Sequence, residues 1–247
     1  LKSPDTGTFI APSLIRVGGI ADMEREIFGP VLHLATFRAD ELDSVIDAIN
    51  ATGYGLTFGL QTRIDDRVQH VTDRIHAGNM YVNRNQIGAI VGSQPFGGEG
   101  MSGTGPKAGG PHYLARFTRQ TAPASGGDGN WSGDMPITEL KAALQRANSQ
   151  QAERREALVL PGPTGESNRL TTHTRPALLC LGPDQATAET QARAVRDLGG
   201  IAVAATGHIA PETLRDLDGI AGALHWGDAS AARAYAQALS RRSGPIL

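Results

Sequence analysis

The strongest constraint in this sequence is a rhythm. Short apolar runs alternate with segments whose apolar residues recur every three or four positions, and the alternation occurs in two rounds. In the first round, residues 31–38 (VLHLATFR) read as a buried strand. Asp40 opens a helix with Leu42, Val45, Ile46 and Ile49 on one face, and Gly53 and Gly55 end it. Residues 56–62 (LTFGLQT) form the second strand, Ile64, Val68, Val71 and Ile75 mark a second helix with Gly78 as its C-terminal cap, and 79–83 (NMYVN) form the third strand. The second round starts at 176. Strands at 176–181, 201–205 and 220–225 alternate with helices at 184–197, 211–217 and 228–241, and 244–247 (GPIL) read as the start of a fourth strand. Strand–helix alternation of this kind predicts the α/β class with parallel sheets, and ligands outside the C-terminal ends of the strands.

The stretch between the two rounds sets the organisation. Glycine is in excess, at 31 of 247 residues, and many of these cluster at 88–110, where the chain leaves the first sheet. Val91, Pro95, Phe96 and Met101 are interleaved among them, which argues for an ordered loop rather than a floppy linker. Residues 112–120 (HYLARFTRQ) are expected to form a further strand. Residues 121–134 (TAPASGGDGNWSGD) are polar and turn-rich, and divide the chain into a first part at 1–120 and a second part at 135–247. A helix is expected at 137–156, and PGPTGESN at 161–168 is a second turn-dense segment, suited to a helix cap or an anion nest. The second part is Rossmann-like but carries no GxGxxG after any strand, so it is assigned no nucleotide.

Bulk properties exclude several classes. Hydrophobic content of 40% suits a folded core, and a net charge of −2 implies no general attraction to nucleic acid or anionic lipid. No apolar run is long enough to span a bilayer, and no basic, then apolar, leader is present. A single cysteine, Cys180, fits a reducing compartment and hence a cytoplasmic location. Flanked by Leu179 and Leu181, it reads as an inert buried thiol. His33, His70, His76, His173, His208 and His225 lack metal-ligand spacing, and His112 reads as structural. The run Glu153, Arg154, Arg155, Glu156 reads as a solvated helix face.

Two motifs carry chemistry. Residues 23–31 read MEREIFGPV and residues 79–103 read NMYVNRNQIGAIVGSQPFGGEGMSG. This combination resembles the C-terminal half of the aldehyde dehydrogenase superfamily over about the first 120 residues. The wording GAIVGSQPFGGEGMSGTGPKAGGPHYLARF narrows the resemblance to Δ1-pyrroline-5-carboxylate (L-glutamate-γ-semialdehyde) dehydrogenases. With LPGPTGESN and the second α/β part, it resembles the bifunctional bacterial family in which a proline dehydrogenase precedes the aldehyde dehydrogenase on one chain. The fold implied is the distal half of an aldehyde dehydrogenase catalytic domain followed by a Rossmann-like α/β unit, truncated at its end.

The roles of individual residues follow from that resemblance. Glu26 of EIFGP is implied to hold the nicotinamide ribose hydroxyls of NAD, a carboxylate offering acceptors to a diol. Phe28 is implied to lie by the nicotinamide ring. Gly88 and Ala89 are implied to anchor the substrate α-carboxylate through backbone N–H groups, and Phe96 to form an aromatic wall beside it. Taken alone, Glu26 reads as a surface glutamate beside a buried Phe28, and Phe96 as a core aromatic at a tight turn. Asn83 reads as a structural cap and Lys107 as a solvated turn residue.

The family reaction oxidises an aldehyde with NAD through attack by a thiolate. Cys180 lies too far along the chain to be that nucleophile, so no catalytic residue is assigned here and the isolated chain is expected to be inactive. The partners expected are glutamate semialdehyde, an N-terminal portion upstream of Leu1 and further copies in a homo-oligomer. FAD is expected in the proline dehydrogenase domain, and peripheral association with the inner membrane is an option for the full-length protein. Two other readings stand beside this one: a stand-alone semialdehyde dehydrogenase, and a non-catalytic scaffold or oligomerisation module.

Overall fold

A computed structural model describes residues 5–103, 105–118, 129–149 and 157–244. The chain divides into two compact units, one formed by Leu1–Ile87 with Gly97–Gly105, the other by Gly88–Phe96 with Pro106–Leu247.

In the first unit, β1 (Ser13–Arg16) pairs in parallel with β2 (Val31–Leu34), Ser13 facing Val31 and Arg16 facing Leu34. A 3-10 turn at Ala39–Glu41 leads into α1 (Leu42–Ala51). Next come β3 (Tyr54–Gly55), β4 (Thr57–Leu60), α2 (Asp65–Arg74), β5 (Asn79–Val82) and β6 (Glu99–Gly100). β4 and β5 are parallel, with Phe58 opposite Met80, and β3 and β6 are antiparallel. The helical spacing produces the expected core. Ile46 on α1 is 2% exposed and meets Val71, Ile75 and Ala77, with Leu42, Ile49, Phe58 and Leu60 around them. The fully buried Ile46 and Val71 each contribute about 1.5–3 kcal/mol by leaving water. The Asn50 side chain ties the helices together: Nδ2 donates to Arg74 O at 2.8 Å, and Oδ1 accepts from His76 N–H at 2.9 Å. On the exposed side, Asp43 accepts from His70 Nε2 at 2.6 Å and lies 2.5 Å from Arg74 Nη1.

Three expectations for this part need correction. The strands do not join one sheet: β2 pairs with β1 and β4 with β5, and among the described residues no strand connects the two pairs. β1 itself was not anticipated, because four residues bounded by Pro12 and Gly18 give too short a signal. Gly78 is not the cap of α2, which ends at Ile75 with φ −73°. Gly78 serves instead as a point of close backbone approach, since a Cβ there would fall 1.8 Å from Gly97 O.

In the second unit, Phe96 and Ala108 form an antiparallel bridge, N–H to O at 3.0 and 2.8 Å. The strand expected at 112–120 is a 3-10 turn at Leu114–Phe117 within its described part, and residues 119 and 120 lie outside the described residues. Leu114 and Phe117 stay exposed, and Tyr113 meets Phe117 edge-on at 5.2 Å. Among the described residues no strand pairs with this segment. α3 (Ile137–Ser149) precedes a hairpin of β7 (Leu158–Leu160) and β8 (Asn168–Leu170), antiparallel with Leu158 opposite Leu170 and Leu160 opposite Asn168. PGPTGESN is therefore the end of a hairpin. The 153–156 charge run, 121–128 of the polar stretch and 245–247 of the last expected strand lie outside the described residues.

β9 (Ala177–Cys180), α4 (Gln185–Asp197), β10 (Ala202–Ala204), β11 (Ile220–Leu224) and α5 (Ala229–Ser240) complete the unit, with a 3-10 helix at Pro211–Asp216 where a short helix is expected. The sheet is parallel, in the order β10-β9-β11. Its strands alternate between two cores. Ala177 and Leu179 face Leu140 and Leu144 of α3 and Tyr235 and Leu239 of α5, while Cys180 and Ala202 face Ala192 and Val195 of α4. Residues 129–134 take part in this unit: Met135 N–H donates to His208 O at 2.9 Å and His208 N–H to Gly133 O at 2.7 Å.

Candidate functional site

Glu26 and Phe28 sit on the segment that feeds β2. Gly29, at φ +140°, and Pro30 turn the chain, and Pro30 O accepts from Ser13 N–H at 2.8 Å, which seats the turn against β1. Glu26 is exposed, and its carboxylate meets no hydrogen-bond donor or cation among the described residues. Phe28 is 89% exposed, so the buried aromatic of the structural reading is not found. The segment thus presents a carboxylate with free acceptors beside an uncovered aromatic ring.

Gly88, Ala89 and Phe96 lie on one loop of the second unit. Gly88 is exposed and Ala89 half-buried, and the N–H of neither donates to a described residue. A Cβ at Gly88 would meet nothing within 4 Å, so open space surrounds it. Two consecutive unpaired amides beside open space are the raw material of an anion nest. The loop is nonetheless ordered. Gln94 N–H donates to Ile90 O at 2.9 Å, and Ile90 N–H donates back to Gln94 Oε1 at 2.9 Å. Pro95 is buried, and Phe96, 36% exposed, is pinned through its backbone to Ala108.

Sequence reasoning missed one network here. Gln94 Nε2 donates to Glu166 Oε1 at 2.6 Å and to Asn168 Oδ1 at 3.2 Å, which joins the loop to the β7–β8 hairpin. The signal was present in the unexplained PGPTGESN, but nothing local links it to a glutamine 72 positions earlier.

The remaining candidates are structural. Asn83, at φ +56°, accepts from Thr62 N–H at 3.0 Å and donates its own N–H to Leu60 O at 2.8 Å, closing the ends of β4 and β5. Cys180 is fully buried, and desolvation pushes its thiol up to about 11. No group of three or more metal-ligating side chains occurs among the described residues. Beyond the C-terminal ends of β9 and β11 a cavity of about 520 Å³ is lined by Trp131, Gly182, His208, His225, Asp228 and Tyr235. The helix N-termini nearby are filled from within: Asp184 accepts from Thr187 N–H at 2.8 Å, and Asp228 from Ser230 and Ala231 N–H at 2.8 and 3.0 Å. These bonds hold the Asp228 carboxyl below its ordinary range.

Residues 2–122 match the model of the aldehyde dehydrogenase family, and the match takes in both EIFGP and PFGG. Through these residues the chain belongs to the aldehyde dehydrogenase family. Its similarity to named members reaches further. The bifunctional protein PutA of Rhizobium meliloti is 43% identical over 269 aligned residues, covering 98% of this chain and 22% of that protein. The bifunctional protein PutA of Salmonella typhimurium is 44% identical over 80% of this chain and 17% of its own length. The 1-pyrroline-5-carboxylate dehydrogenase 1 of Halalkalibacterium halodurans is 46% identical over 44% of this chain and 21% of its own length. The chain therefore spans about a fifth of the length of the relatives it matches. The matched residues 2–122 contain both candidate segments and no cysteine. Among the described residues no helix is long and apolar enough to cross a membrane.

Proposed function

We propose that this chain is the distal part of an NAD-dependent L-glutamate-γ-semialdehyde dehydrogenase that makes glutamate in proline catabolism, within a bifunctional proline dehydrogenase protein. The observation that carries the reading is the pair of unpaired amides at Gly88 and Ala89, held on an ordered loop directly before PFGG. Such a pair suits a substrate that presents a carboxylate, and proteins of both names are among the chain's relatives. Phe96 supplies the wall along the aliphatic part of the substrate.

The residues present also fit NAD. Glu26 has acceptors to spare for a ribose diol, and Phe28 has a free ring face for the nicotinamide. When bound, NAD would supply the hydride acceptor; Glu26 and Phe28 would hold and orient it, and Gly88, Ala89 and Phe96 would hold the substrate. Orientation of this kind lowers a barrier substantially but does not replace a nucleophile, so the isolated chain is inactive in this reading. The proposal extends to sequence modules at 1–120 and 135–247 joined by 121–134, FAD in an upstream domain, homo-oligomerisation and a cytoplasmic location. For residues 135–247, a scaffold role is favoured by the self-capped N-termini of α4 and α5, which leave those amides no vacancy for a phosphate.

Paired substitutions in the full-length protein test the two clamps. Ala89→Trp is expected to raise KM for glutamate semialdehyde by roughly tenfold or more while KM for NAD stays within about twofold. Glu26→Ala is expected to lower the rate of hydride transfer by about tenfold, the scale of one charge-assisted hydrogen bond. Equal effects of Ala89→Trp on both KM values, or unchanged kinetics in Glu26→Ala, would remove the corresponding assignment.

A further inference from the structure

The loop proposed to anchor the substrate is hydrogen-bonded to a hairpin more than sixty residues downstream. Gln94 is the joint. Its Oε1 accepts from Ile90 N–H at 2.9 Å, and its Nε2 uses both protons, one toward Glu166 Oε1 at 2.6 Å and one toward Asn168 Oδ1 at 3.2 Å. A carboxylate and an amide oxygen therefore fix which way the Gln94 amide faces. That orientation directs Oε1 back to the Ile90 amide. The Ile90 N–H belongs to the Ala89–Ile90 peptide, so holding it sets the backbone of Ala89.

The hairpin end is a firm base for this. Asn168 lies in register opposite Leu160 and its Nδ2 donates to Pro161 O at 3.2 Å, so one side chain closes the hairpin and reaches the loop. Glu166 N–H closes the turn on Pro163 O at 3.1 Å, and Gly165, at φ +85°, takes a conformation that favours glycine. Gly162 leaves room for Asn168, since a Cβ there would sit 2.5 Å from Nδ2. Gln94, Glu166 and Asn168 are all half-buried, which limits competition from water.

We infer that Gln94, Glu166 and Asn168 are positioning residues for substrate anchoring, and that the β7–β8 hairpin aims the Gly88 and Ala89 amides through Gln94. The inference rests on the reading of those amides as the carboxylate anchor.

The test uses the full-length protein with Glu166→Ala, Gln94→Glu and Glu166→Gln. Glu166→Ala removes the strongest acceptor, and Gln94→Glu sets two carboxylates against each other. Both are expected to raise KM for glutamate semialdehyde about tenfold, with KM for NAD within about twofold. Glu166→Gln keeps an acceptor oxygen and is expected to stay within about twofold of the parent. Amide exchange at Ile90 is expected to quicken in the first two variants and to match the parent in the third. A parental KM with parental Ile90 exchange in Glu166→Ala overturns the inference. So does a matching rise in the KM for NAD, or a Glu166→Gln variant as impaired as Glu166→Ala. If the parent protein does not oxidise glutamate semialdehyde at all, the substrate reading fails, and the exchange at Ile90 still decides whether the hairpin sets the loop.

Discussion

A thiol acts as a nucleophile when it is reachable and partly ionised. Cys180 is neither: it is fully buried, and its pKa is raised from 9.0 to about 11 by desolvation. Folding therefore favours the neutral form. The stability this contributes is complete below about pH 9 and is lost as pH rises from about 9 through about 11. Stability measured against pH should fall over that window in the parent and less so in Cys180→Ala. A thiol reagent should label Cys180 at neutral pH only as fast as the second unit opens, and immediate labelling would contradict the burial. The flanking Leu179 and Leu181 made this inertness legible, because an apolar strand has no means of stabilising a thiolate. Glu26 is the opposite case. Its exposure gives it no structural signature, and only the surrounding EIFGP points to a role.

At the scale of elements, periodicity succeeded where one element buries one face. α1, α2, α4 and α5 appear within a residue or two of their expected bounds, because Ile46, Val71, Ala192 and Leu239 are held by packing that the apolar spacing encodes. It failed where structure depends on a distant partner. Residues 112–120 have strand-like composition, but a strand needs a neighbour, and Leu114–Phe117 coil into a 3-10 turn instead. The β7–β8 hairpin was hidden because its loop is longer than the two-residue turns that announce themselves. Gly78 was misread because a cap and a close approach both call for glycine. The α1–α2 pairing carries a prediction of its own. Asn50→Ala leaves Arg74 O and His76 N–H without their partner, at about 1–3 kcal/mol. The unfolding midpoint should drop and amide exchange at His76 should rise, whereas an unchanged midpoint would show that water replaces Asn50.

Across the whole molecule, the two units differ in how well they cover themselves. The second surrounds its sheet with α3, α4 and α5, and Leu140, Leu179 and Leu214 are fully buried. The first leaves β1 exposed at every residue, with Leu14 at 63% and Leu32 of β2 at 65%. Parallel strands are ordinarily covered on both faces, and large uncovered apolar areas drive association. The isolated chain is accordingly expected to self-associate as its concentration rises, seen by light scattering, and to produce no NADH from glutamate semialdehyde. A monodisperse, active chain would refute both the inactivity and the need for cover. The path of the backbone adds a last consequence. It leaves the first unit at Ile87, returns at Gly97 and leaves again after Gly105. Neither unit can be released whole by a single cleavage, and shortening the gene from its 3′ end would remove the β7–β8 hairpin to which Gln94 is bonded before reaching the codons of the Gly88–Phe96 loop.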